Sequence, residues 1–92
     1  SGDLVQRARR AFQDYVLQMD WTGNLVVLRC LSGTASTVGQ VLDDLQWDEV
    51  MATLAGDDTL LVILRRPEGE LPEWEPLRTV YRRLQELREP EA

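Results

Sequence analysis

Apolar and polar positions follow two different periods along this chain, and the switches between them divide it into elements. From Asp3 to Phe12, apolar residues fall at Leu4, Ala8, Ala11 and Phe12, a helical spacing with Arg7, Arg9 and Arg10 on the other side. The first fourteen residues therefore read as a linker or a short leading helix. Tyr15 to Met19 alternates, placing Tyr15, Leu17 and Met19 on one face of a strand. Asp20 to Asn24 supplies a turn, and Leu25 to Leu31 is a second strand, apolar on both faces and so central in a sheet. Ser32, Gly33 and Thr34 offer a capping hydroxyl before a helix through about Leu45, with Ala35, Val38, Leu42 and Leu45 on one side. Two further strands, Val50 to Ala55 and Thr59 to Leu64, flank a Gly56-Asp57-Asp58 turn. Pro67, Gly69 and Pro72 mark a loop. Pro76 then opens a last helix with a stripe of Leu77, Val80, Tyr81, Leu84 and Leu87. The order β-β-α-β-β-α predicts an α+β fold: a small antiparallel four-stranded sheet with two helices packed on one face, preceded by the linker or short leading helix.

Composition narrows the function. Ninety-two residues make one domain, and 43% apolar with 28% charged residues is ordinary for a globular protein. No apolar run reaches the roughly 18 residues of a membrane span, and no signal-peptide pattern opens the chain. The net charge of −6 argues against this chain gripping nucleic acid by itself, since phosphate contacts need a basic face. Cys30 is the only cysteine, which rules out an internal disulfide and suggests a cytoplasmic setting. The absence of histidine excludes His-based triads and imidazole metal sites. All ten basic residues are arginine. The chain does not begin with Met, which suggests a fragment or a processed form with an upstream domain.

The turn carries the candidate chemistry. Asp57 and Asp58 stand side by side between two hydrophobic strands, and two ionised carboxylates so placed repel each other. A bound cation would relieve that repulsion. A guanidinium suits the task, because its planar fork of donors matches a carboxylate through two parallel hydrogen bonds. The N–H groups of the helix start at Gly33 to Ser36 would suit a ligand carboxylate, and Asp43 is an acidic candidate for a ligand amino group. Taken alone, a Gly-Asp-Asp turn is more often a solvated hairpin tip. An enzymatic alternative, a metal-binding hairpin like that of polymerase palm domains, fails on size.

Three stretches together resemble a known family. Asn24-Leu25-Val26-Val27-Leu28-Arg29, then Gly33-Thr34-Ala35 opening a helix that ends in Leu42-Asp43, then Thr53-Leu54-Ala55-Gly56-Asp57-Asp58-Thr59 look like the C-terminal domain of bacterial arginine repressors. The resemblance spans about Tyr15 to Leu64. It implies a non-enzymatic domain at 15–92 that forms trimers, two of which stack into a hexamer with L-arginine bound as co-repressor between them. Operator DNA would be read by a separate N-terminal winged helix outside this chain. No membrane partner, metal or other cofactor is implied. Carried over by position, Asp57 and Asp58 would take the guanidinium, while Asp43, Ser36, Thr53 and Ala55 would surround the amino-acid end. Ser36 stands where several relatives have Gln, and Ala52 where the family usually has Gly. The alternative is a structural oligomerisation module without a small-molecule ligand.

Overall fold

A computed structural model of the chain describes residues 2–90; the last two residues of the expected 15–92 domain lie outside the described residues. Seven elements follow in order: α1 (Gly2–Tyr15), β1 (Val16–Thr22), β2 (Leu25–Cys30), α2 (Ala35–Leu45), β3 (Val50–Ala55), β4 (Thr59–Leu64) and α3 (Glu75–Arg88). The strands form one sheet in the order β1-β2-β4-β3, and every neighbouring pair is antiparallel. The strand that read as apolar on both sides, β2, is a central one, and β4 is the other.

Alternation decides which residues meet the helices. Val26, Leu28 and Cys30 of β2 and Leu60, Val62 and Leu64 of β4 are buried, and they join Val16 and the apolar stripes of all three helices in one core. In α1 the buried residues are Ala8, Ala11 and Phe12, one helical face. Phe12 is fully buried, so α1 packs into the same core as the two expected helices. Polar bonds reinforce that packing. The Arg9 guanidinium donates to the carbonyls of Glu86 (2.9 Å) and Glu89 (3.2 Å), and the Gln13 amide donates to Glu89 (3.0 Å). The Glu86 carbonyl, in the last turn of α3, also accepts from the N–H of Glu89 (3.3 Å), and Glu89 is the capping residue just past the helix.

Local details differ from the sequence reading in three places. Tyr15 closes α1, and a bulge between Val16 and Gln18 leaves Leu17 without an opposite residue, so Tyr15, Leu17 and Met19 do not share a strand face. The bulge lets Val16 point into the core and restores the alternation beyond it, putting Met19 opposite Leu28 and Trp21 opposite Val26. The predicted turn at 20–24 shrinks to Gly23 and Asn24, because Asp20, Trp21 and Thr22 stay paired to β2; Gly23 takes the left-handed φ of 54° that the tight connection requires. Finally, Thr34 precedes α2 without a side-chain cap, since its hydroxyl donates to the Leu31 carbonyl at 2.6 Å.

The opposite face of the sheet carries an apolar cluster that no helix among the described residues covers. Residues directly opposite across antiparallel strands share a face, which groups Leu25 and Val27 with Ile63 and Leu61, and these with Ala52 and Leu54. Leu54 is 64% exposed.

Truncating Phe12 tests whether α1 belongs to the domain. Phe12→Ala should lower unfolding stability by about 3–5 kcal/mol, whereas Arg7→Ala on the exposed side should change it by less than about 0.5 kcal/mol. Denaturant titrations of the two variants make the comparison; equal stability would show α1 to be an independent appendage.

Candidate functional site

The acidic turn is held by its backbone. Gly56 donates its N–H to the Thr59 carbonyl at 2.8 Å and closes the hairpin. The Asp57 carbonyl then accepts from the N–H of Gly33 (3.0 Å) and of Ala35 (3.4 Å), and the Asp58 carbonyl accepts from Cys30 at 2.6 Å. Three bonds thus fasten the tip of the β3–β4 hairpin to the junction between β2 and α2. Gly33 sits at a φ of 79°, a left-handed conformation that a glycine adopts without strain, at the point where the chain leaves β2 for the helix.

With its carbonyls committed, the turn leaves its carboxylates outward. Asp57 and Asp58 are both exposed. The Asp57 side chain has no hydrogen-bond partner among the described residues. Asp58 Oδ1 accepts from the Thr59 hydroxyl at 2.9 Å, and the Thr59 oxygen accepts from Arg29 Nη1 at 3.2 Å. Behind the turn lies the buried Cys30, whose thiol pKa is raised above its usual value of 9.0, first by burial and then by the Asp58 carboxylate. The thiol is held neutral there.

The remaining candidates lie along the neighbouring border of the domain. Thr53 on β3 donates its hydroxyl to Asp43 Oδ1 on α2 at 2.8 Å, so the structure brings these two together directly. Ser36 is exposed in the first turn of α2, and Ala55 is exposed at the end of β3, opposite Leu60. Asp57 reaches this group only through its backbone, at Ala35. Neither acidic side chain of the turn bonds to Asp43, Ser36 or Thr53 among the described residues. The helix start is also less open than the sequence suggests: Gly33 and Ala35 donate to Asp57, and Thr34 to Leu31, leaving Ser36 and Thr37 as the N–H groups without a partner among the described residues.

Two features of this border escaped the sequence reading. Gly39 is buried in the middle of α2 where a Cβ would come within 3.0 Å of Leu60 Cδ1 and 3.5 Å of Thr53 Oγ1. A side chain there would oblige Leu60 to shift by a few tenths of an ångström; the sequence signal was a glycine inside a helical pattern. The second is the Arg29–Thr59–Asp58 chain of bonds, which joins two segments distant in sequence. The clefts near β1 and α3 include none of the six candidate residues in their walls. The border is open, so a ligand held there would need a second surface to enclose it. Among the described residues no group of three His, Cys, Asp or Glu side chains could hold a metal ion, and no helix is long and apolar enough to cross a membrane.

Comparison with known proteins gives this arrangement a family. The family model described as "Arginine repressor, C-terminal domain" matches residues 12–71, from the end of α1 through β4 and into the following loop. An arginine repressor of Geobacillus stearothermophilus is 48% identical over 64 residues, covering 70% of this chain and 43% of its own length. The arginine repressor of Bacillus subtilis is 39% identical over a stretch of the same size and coverage. The chain therefore spans less than half the length of these relatives. Helix α3 falls beyond the matched residues. With more than half of its residues matched in one continuous run, the chain belongs to the arginine repressor C-terminal domain family.

Proposed function

We propose that this chain is the L-arginine-sensing and self-assembling part of a transcriptional regulator of arginine metabolism. The observation that carries the reading is the anchored acidic turn. Its backbone is fixed to the β2–α2 junction by three bonds, so the Asp57 and Asp58 carboxylates are displayed from a rigid base, in the form a guanidinium fork accepts. On this reading Asp43, Ser36, Thr53 and Ala55 take the amino-acid end of the ligand, and the free N–H groups of Ser36 and Thr37 suit its carboxylate.

Self-association supplies the missing wall. The uncovered sheet face, with Leu54, Leu61 and Ile63 at its centre, offers an apolar surface that a second copy can bury. Trimers formed through that face and stacked in pairs would set acidic borders of different subunits against one another. Arginine bound between them neutralises the crowded carboxylates and, by binding only the assembled form, stabilises it by mass action. The regulator acts in the cytoplasm, is not an enzyme, needs no metal, and contacts operator DNA through a separate domain.

Solution mass by light scattering on a sizing column, with L-arginine and with L-lysine as the charge control, is the direct test. The expected outcome is an oligomer that responds to arginine and not to lysine; a mass indifferent to arginine would leave the ligand-free assembly module in its place. Asp57→Asn with Asp58→Asn should keep the fold and weaken arginine binding by more than roughly tenfold, as expected for lost charge-assisted hydrogen bonds. A full response in the double variant would move the site elsewhere. Leu54→Asp should shift the mass towards the monomer, and an unchanged mass would remove the outer sheet face from the interface.

A further inference from the structure

We propose that Arg29 and Thr59 form a relay that holds the Asp58 carboxylate in the orientation in which it receives a guanidinium. The inference rests on the arginine-binding reading of the turn and assigns positioning roles to two residues that do not themselves face the ligand.

Arg29 of β2 and Thr59 of β4 are direct cross-strand partners on the outer face of the sheet. Arg29 Nη1 donates to the Thr59 oxygen at 3.2 Å. A hydroxyl has one hydrogen, and with its oxygen already accepting from Arg29 that hydrogen is free for Asp58 Oδ1, 2.9 Å away. The two bonds run in one direction and polarise each other, so the acceptor position at Asp58 is better defined than a lone Thr–Asp contact would make it. An exposed aspartate otherwise samples several rotamers, and ordering it on binding opposes affinity. Here the ordering is done by the sheet.

The relay also divides labour between the two carboxylates. Oδ1 of Asp58 is engaged within the chain, leaving Oδ2 for the ligand, whereas Asp57 has both oxygens unengaged among the described residues. A guanidinium can then meet Asp57 through two parallel bonds and Asp58 through one. Lysine, a compact point charge, gains less from such a planar arrangement.

The charge of Arg29 provides the discriminating test. A cation near a cation-binding site repels the ligand, so if Arg29 acted only through its field, removing it would tighten binding. If it acts by orienting Thr59 and Asp58, removing it weakens binding. Calorimetric titration of L-arginine into the wild-type chain, Thr59→Val, Thr59→Ser and Arg29→Met, with the assembly mass and melting temperature of each recorded, separates the cases. The relay predicts binding roughly two- to tenfold weaker in Thr59→Val and Arg29→Met, the range for losing one hydrogen bond. Thr59→Ser, which keeps the hydroxyl, should restore wild-type affinity. Affinity unchanged in Thr59→Val, with or without a lower melting temperature, would reduce the Thr59–Asp58 bond to a turn support and overturn the relay. Tighter binding by Arg29→Met would overturn it as well. A wild-type chain that binds no arginine would overturn the functional reading on which the relay rests, an outcome separate from the other two.

Discussion

Everything at the candidate site depends on two backbone carbonyls. The oxygens of Asp57 and Asp58 fasten the tip of the β3–β4 hairpin to the N–H groups of Cys30, Gly33 and Ala35. Without those bonds the tip would be a free turn, and its two carboxylates would move apart to relieve their repulsion. With them, the carboxylates have a fixed root while their heads remain in water. The same bonds take up N–H groups where β2 passes into α2, so one set of bonds both engages the N–H of Ala35, the first residue of α2, and positions the acid pair.

The helix layer serves the same end from the other side. Gly39 lets α2 approach Leu60 and Thr53 closely, and the Thr53–Asp43 bond closes that approach with a polar contact. Helix α1 then braces α3, with Arg9 and Gln13 reaching the terminal carbonyls of that helix and Phe12 filling the core between them. Position at the border therefore follows from packing far from it. This is common where exposed residues do the work and a rigid scaffold sets their place.

Much of this was legible in the sequence, for identifiable reasons. The double-sided apolar run at Leu25–Leu31 marked one central strand, and the stripe from Leu77 to Leu87 marked α3, because burial writes its period directly into residue type. The bulge at Leu17 was hidden, since one unopposed residue leaves no mark on composition. The turn at 20–24 was drawn too long because Asp20 and Thr22 are polar for the simple reason that they face outward on an edge strand. Of the six candidate site residues, side-chain chemistry pointed to the acids, whereas the Thr53–Asp43 bond and the Arg29–Thr59 pairing depend on register, which one strand's sequence does not contain. The anchoring carbonyls were invisible for a deeper reason. Every residue has one, and only the fold decides which are used.

Bulges occur near the start of both edge strands, at Leu17 in β1 and at Met51 in β3. An edge strand exposes a row of unpaired backbone groups, and a regular one invites another chain to extend the sheet sideways. A bulge interrupts that row and turns the strand away from a flat approach. In this domain both lateral routes to indefinite sheet growth are roughened, while the outer face keeps an apolar cluster of Leu25, Val27, Leu54, Leu61 and Ile63. Growth by hydrogen-bonded ribbons is discouraged while packing of one apolar face on another is left open, so the fold guards against a fibre without closing off every contact.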